Sequence, residues 1–105
     1  MTDSVKNALD TYIEFISKQE GVLQIYLFGS CANGTTHERS DIDLMVIVDD
    51  AKKPGKMAVQ ISKGLAHREV PLDVLVNRKT VFYKAAEELT IQNKIKNTGV
   101  LLYGQ

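Results

Sequence analysis

The chain has 105 residues, 44% of them hydrophobic, which predicts one domain over residues 1–105 with a single small core. Thirteen basic and thirteen acidic side chains balance to a net charge of zero, so the overall charge excludes a general attraction to nucleic acid or to an anionic membrane. Cys31 is the single cysteine, which excludes an internal disulfide, and no signal peptide or apolar run of about 20 residues is visible. We therefore expect a soluble cytoplasmic protein.

The N-terminal segment has the pattern of an amphipathic helix. Its apolar side chains recur at intervals of three and four residues, and the stretch ends before Gly21. Asp3 or Ser4 is available as the N-cap of this helix. The apolar stripe consists of Val5, Leu9, Tyr12, Ile13 and Ile16.

Two strands are expected next. The first is Val22–Phe28, which stops at Gly29. The second is Ile42–Val48, whose sequence IDLMVIV is apolar at both alternating positions, as in a central strand covered on both faces. About a dozen residues separate the two strands, which favours an antiparallel pair.

A crossover helix is predicted between the second strand and a third. A turn at residues 52–55 precedes an amphipathic segment that includes Met57, Ile61 and Leu65, and Pro71 opens a strand over residues 72–76. Because a connection of this length passes over the sheet, the second and third strands are expected to be parallel.

The C-terminal part of the chain has a further helical pattern. It covers residues 80–97, with a break near Thr90 and Gly99 as the C′ residue. Val100–Tyr103 is either a last short strand or an extended tail.

Three aspartates are predicted to meet at one edge of the sheet. Asp41 and Asp43 lie two positions apart in an extended segment, so their side chains point to the same face with Cα atoms about 6.5 to 7 Å apart. Asp73 lies inside the parallel third strand, where burial of an unpaired carboxylate would cost several kcal/mol. Crowded carboxylates repel unless a cation lies between them, and oxygen ligands of this kind suit Mg²⁺.

The loop after the first strand has the composition of a phosphate-binding turn. Gly29 allows a close approach of the backbone to a ligand, Ser30 offers a hydroxyl, and Gly34 permits the following turn. The antiparallel pairing places this loop against the acidic edge. A phosphate site beside a metal site is typical of phosphoryl or nucleotidyl transfer.

These residues together resemble the signature of the DNA polymerase beta-type nucleotidyltransferase superfamily, and within it the minimal nucleotidyltransferase branch. The likeness is carried by Gly29-Ser30, by Gly34, by the segment 40–44 (SDIDL) that starts its D-x-D eleven positions after Ser30, and by Asp73 in the segment 71–76 (PLDVLV). It extends from the first helix to the closing GVLLYG. The fold that it implies is α/β (α+β), a mixed sheet with helices packed against it.

The resemblance also implies roles for single residues. Asp41, Asp43 and Asp73 would be the metal-binding and catalytic triad for one or two Mg²⁺ ions, with Asp73 helping to deprotonate the attacking hydroxyl. Gly29 and Ser30 would contact the triphosphate of ATP. Ser40 is grouped with these nucleotide-binding residues, although its hydroxyl is expected to bond backbone groups rather than to act as a nucleophile.

The partner expected from the resemblance is a helical HEPN-type ribonuclease toxin, with this chain as the antitoxin. The implied reaction is the transfer of AMP from ATP to a tyrosine of that toxin. Since nearly all of the 105 residues are used by the fold and the triphosphate site, we expect the acceptor surface to come from a second protein or from a second copy of this chain, as a homo-oligomer.

One departure from the family pattern leaves other functions open. Members often carry a basic residue shortly after the Gly-Ser pair, whereas Cys31 and Asn33 stand here, and Arg39 or Lys63 are the candidates to compensate. This feature favours the alternative of a binding module that neutralises its partner by occlusion. A third alternative is nucleotidyl transfer to a small molecule.

Overall fold

The computed structural model describes residues 2–29, 41–67 and 70–104. In chain order, the elements are α1 (Asp3–Ser17), β1 (Val22–Phe28), β2 (Ile42–Val48), α2 (Pro54–Gly64), β3 (Leu72–Arg78), α3 (Lys79–Ala85), α4 (Ile91–Thr98) and β4 (Val100–Tyr103). None of the helices in the described part of the chain is both long and apolar enough to cross a membrane.

The four strands form one mixed sheet in the order β3-β2-β1-β4. β1 and β2 pair in antiparallel orientation and β2 and β3 pair in parallel, so both predicted relations are confirmed. β4 pairs antiparallel with β1, so the closing segment is a strand rather than an extended tail. The predicted α/β fold with a mixed sheet is confirmed.

Helices cover both faces of the sheet, and the alternation of β2 separates two cores. Ile42, Leu44, Val46 and Val48 pack with α1 and α2, whereas Met45 and Ile47 pack with Phe82 of α3 and Ile95 of α4. Six of the seven β2 residues are buried, and Asp43 is the exception. The prediction of a central strand covered on both faces is therefore confirmed, and its one half-exposed position is a carboxylate.

The first helix has the predicted stripe but a different cap. Its fully or nearly buried residues are Val5, Leu9, Tyr12 and Ile16. The N-cap is Thr2, whose hydroxyl accepts a hydrogen bond from the Val5 amide at 3.3 Å, rather than Asp3 or Ser4. Those two residues lie inside the first turn, where Asp3 still complements the positive end of the helix dipole.

The helical pattern of residues 80–97 divides into two short helices, as the break near Thr90 predicted. The Thr90 hydroxyl accepts from the Asn93 amide at 3.2 Å and caps α4. Gly99 is the C-cap of α4 and has an extended conformation (φ −74°), so its predicted position as the C′ residue is wrong by one residue. Glycine is required there because a Cβ would lie 2.5 Å from the Ile95 carbonyl oxygen.

Candidate active site

The strand registers bring Gly29, Asp43 and Asp73 to one edge of the sheet. Phe28, the last residue of β1, pairs with Asp43, and Asp43 pairs with Asp73 across the parallel β2–β3 ladder. Neighbouring strands lie about 4.8 Å apart, so the two carboxylates are direct neighbours. Asp41 precedes β2 by one residue and lies at the same edge. The expectation that the three aspartates and Gly29 meet at one edge agrees with this arrangement.

These carboxylates point to the α3 and α4 face of the sheet. Ile42 and Leu44 on either side of Asp43 pack against α1 and α2, so the Asp43 side chain projects to the opposite face. Leu72 and Val74 flank Asp73 in the same way. None of the helices in the described residues covers this corner, since Asp43 is half-buried and both Asp41 and Asp73 are exposed. A ligand can therefore reach the carboxylates from solvent.

Gly29 is in contact with the carboxylate group of Asp43. Its φ is +76°, in the left-handed region that side chains disfavour. A Cβ built on it would lie 2.3 Å from Asp43 Oδ2. Glycine is needed at this position for two independent reasons, and the absent side chain leaves the backbone open to a ligand beside Asp43.

The electrostatics of the edge are unfavourable for the isolated protein. Burial raises the pKa of the Asp43 carboxyl above its ordinary value, and the negative charges of Asp73 and Asp41 raise that pKa further. A hydrogen bond with the Asp73 side chain acts in the same direction because it favours protonated Asp43. The structure thus concentrates negative charge at a place where an added cation would relieve it.

The donor chemistry of this edge fits a divalent cation such as Mg²⁺. Carboxylate oxygens are the ligands that Mg²⁺ prefers, and one or two of them suffice when water and phosphate complete the shell. Within residues 2–29, 41–67 and 70–104, no three acidic, His or Cys side chains are already gathered as a ligand set. The carboxylates therefore offer a partial, open site, of the kind that a nucleotide-bound ion would complete.

The remaining predicted residues either lie outside the described part of the chain or lie on the other face of the sheet. Ser30, Gly34, Ser40 and the candidate cation Arg39 lie outside the described residues. Lys63 is at the end of α2, where it lines a cavity of about 410 Å³ together with Asn7, Thr11 and His67. Because α1 and α2 cover the other face of the sheet, Lys63 is not brought to the face that carries the carboxylates.

Sequence reasoning missed the hydrogen bonds that hold the segment leading into β3. The Tyr12 hydroxyl donates to the Val70 carbonyl at 2.6 Å and accepts from the Val70 amide at 3.2 Å, and Ile42 donates its amide to the Pro71 carbonyl at 2.9 Å. The one available signal was the phenol itself, since a buried tyrosine in an otherwise aliphatic stripe requires a hydrogen-bond partner.

A model of the family described as Polymerase beta, Nucleotidyltransferase matches residues 10–105. The chain belongs to this family. The carboxylate edge therefore lies in a nucleotidyltransferase domain, and the match covers every element of the sheet. No curated protein sequence matches the chain.

Solved structures with the same fold include other nucleotidyltransferase-like proteins. A candidate nucleotidyltransferase from Sulfolobus solfataricus aligns with a TM-score of 0.62 at 16% identity, over 100% of this chain and 90% of that one. A toxin–antitoxin structure with AMP-PNP aligns with a TM-score of 0.53 at 20% identity, over 99% and 75%. A variant of the toxin–antitoxin MntA–HpeT aligns with a TM-score of 0.50 at 21% identity, over 95% and 72%. At these identities the likeness concerns the nucleotidyltransferase fold.

Proposed function

We propose that this chain is a Mg²⁺-dependent nucleotidyltransferase of the minimal branch, which transfers AMP from ATP to a hydroxyl group. The observation that carries the proposal is the pairing of Asp43 with Asp73 beside Gly29 at one edge of the sheet, with Asp41 near enough to raise the pKa of Asp43. Neighbouring carboxylates next to a close-approach glycine form a partial site that metal-assisted phosphoryl chemistry can use. Family membership supports the same reaction class.

Each residue of the edge has a role in the proposed reaction. Asp41, Asp43 and Asp73 would hold the ion, which supplies positive charge to the triphosphate and to the leaving pyrophosphate. Gly29 and Ser30 would contact the phosphates, with Ser40 supporting the loop. The acceptor oxygen bonds to the α-phosphorus, the bond from that phosphorus to the pyrophosphate oxygen breaks, and the hydroxyl proton passes to Asp73.

The acceptor proposed is a tyrosine of a helical HEPN-type toxin in the cytoplasm, with this chain as its antitoxin. Two of the solved structures with this fold are described as toxin–antitoxin structures, and one of them contains AMP-PNP. The exposure of Asp41 and Asp73 supports a protein acceptor, because a tyrosine on another chain can approach carboxylates that are accessible to solvent. Transfer requires that oxygen within about 3 to 3.5 Å of the phosphorus.

Intact-mass spectrometry tests the transfer. The chain is incubated with ATP, Mg²⁺ and the helical protein encoded by the neighbouring gene, and each transferred AMP should add about 329 Da to that protein. Asp41→Ala should abolish the shift. A partner that binds tightly, stays unmodified and is inhibited equally well by Asp41→Ala would favour the occluding binding module instead.

Titration calorimetry tests the site without a partner. Because phosphate oxygens complete a coordination shell that the carboxylates leave open, ATP should tighten binding of Mn²⁺ or Mg²⁺ to the chain. The comparison is between titrations of the ion with and without a non-hydrolysable ATP analogue. Equal affinities in the two titrations would contradict a nucleotidyltransferase site.

A further inference from the structure

Tyr12 lies on α1, on the face of the sheet opposite the carboxylates, yet it is bonded to the segment that leads to Asp73. Its side chain is 2% exposed, and its hydroxyl forms two hydrogen bonds to the backbone of Val70, 58 residues away in the chain. A phenylalanine would fill the same space in the aliphatic stripe of α1. The role of the hydroxyl is therefore to hydrogen-bond the Val70 backbone, whereas the ring alone fills the core.

The same segment is tied to β2 on its other side. Pro71 follows Val70, and its carbonyl accepts the amide of Ile42, the residue between Asp41 and Asp43. Val70 itself is 6% exposed, so its backbone groups have little access to water if the tyrosine hydroxyl is removed. The chain thus enters β3 held from two directions, by α1 through Tyr12 and by β2 through Ile42.

We infer that Tyr12 is a positioning residue for the carboxylate site. Asp73 is three residues beyond Val70. The Ile42–Pro71 hydrogen bond fixes the register of β3 against β2 at the start of the two strands. By holding Val70, the Tyr12 hydroxyl sets the approach of Asp73 to Asp43 and Asp41. For its effect on catalysis this inference rests on the proposed function.

The expected effect follows from how ligand geometry depends on supporting contacts. Loss of an outer hydrogen bond that orients metal ligands typically lowers metal affinity or activity by about 10- to 100-fold. Tyr12→Phe removes one oxygen and leaves the ring. We expect transfer to fall by about 10- to 100-fold and the Mg²⁺ concentration for half-maximal rate to rise, while the fold is retained.

Tyr83→Phe is the matched control. The Tyr83 hydroxyl donates to Gln24 Oε1 at 2.6 Å, near the end of the sheet remote from the carboxylates, and the Tyr83 side chain also hydrogen-bonds with Tyr26. The control variant therefore loses the same atom and a hydrogen bond of the same length. Both variants are compared with the wild type below their melting transitions. Tyr83→Phe should keep its Mg²⁺ requirement within about twofold. Equal losses in the two variants would overturn a positioning role for Tyr12.

Amide hydrogen exchange tests the inference independently of activity. In the metal-free protein, Tyr12→Phe should speed exchange at Ile42 by at least about tenfold while amides of β4 keep their rates. Unchanged exchange at Ile42 would overturn the inference, whatever the activity. A wild type that neither transfers AMP nor binds nucleotide would instead overturn the proposed function.

A wild-type measurement covers the case in which Tyr12→Phe does not fold. The inference requires that the Tyr12–Val70 and Ile42–Pro71 hydrogen bonds break together. The Val70 and Ile42 amides then open in the same event, and their opening equilibria should agree within about threefold. An opening equilibrium at Val70 that is far more favourable than that at Ile42 would overturn the inference.

Discussion

The carboxylates at the two ends of β2 have pKa values that are shifted in opposite directions. At the start of the strand, burial and the neighbouring Asp73 and Asp41 raise the pKa of Asp43. Just beyond its end, hydrogen bonds from the Thr80 hydroxyl and amide lower the pKa of Asp50, the amide bond being 2.9 Å long. The Asp50 carboxylate has its hydrogen-bond donors within the fold, because Thr80 at the start of α3 donates to it. The Asp43 carboxylate instead lies among other negative charges, an environment that favours binding of a cation.

Asp43→Asn should produce the largest effect, on transfer. Asp43 is a proposed ligand of the ion, so removing its charge is expected to lose several kcal/mol of transition-state stabilisation, which corresponds to a fall in rate of about 10³-fold. The measurement is the rate of AMP incorporation from ATP. Asp50→Asn, the same chemical change at the other end of β2, should keep the wild-type rate. A comparable loss in both variants would remove the functional difference between the two ends.

Gly29→Ala should destabilise the protein by about 1 to 3 kcal/mol, because the side chain is strained at positive φ. The added Cβ also meets Asp43 Oδ2, so transfer should fall as well. Urea denaturation measures the stability. Gly55→Ala is the matched control, since nothing lies within 4 Å of a Cβ there and the residue is helical. If both alanine variants have the same stability, Gly29 is not under constraint.

In the absence of metal, Asp43→Asn should raise the melting temperature by a small amount. The amide keeps the shape of the side chain and removes one of three crowded charges, so the repulsion that raises the Asp43 pKa is relieved. Thermal melts in a chelator at neutral pH give the comparison with the wild type. Clear destabilisation by neutral replacement of each of Asp41, Asp43 and Asp73 would indicate a structural cluster instead.

The smallest effect is expected for Asp50, in the pH dependence of stability. Its folded-state pKa is lowered from the ordinary value of 3.8, so its stabilising contribution is present above that value and is lost as the pH falls through the folded-state pKa. Asp50→Asn should therefore be less stable than the wild type at neutral pH, and the gap should close in acid. Melts between about pH 2 and 7 measure it. A constant gap would show that the carboxylate charge is not responsible.

Much of the site could be predicted because its residues are close to each other in the chain or in a regular pairing. The two-residue interval between Asp41 and Asp43 places both on one face of an extended segment, whatever surrounds it. The crossover length between β2 and β3 implies parallel strands, and parallel strands bring Asp73 to the same edge. The alternation of IDLMVIV likewise indicated that both faces of β2 are covered.

The tertiary structure decided what depends on residues far apart in the sequence. The packing of α3 and α4 decides which helices share the face of the sheet that carries the carboxylates, and it separates Lys63 from the site. The bond from Tyr12 to Val70 depends on how α1 crosses the sheet, and the bond from Thr80 to Asp50 depends on where α3 begins. Local patterns record spacing along the chain, whereas these contacts require the packed helices to bring distant backbone and side-chain groups within hydrogen-bonding distance.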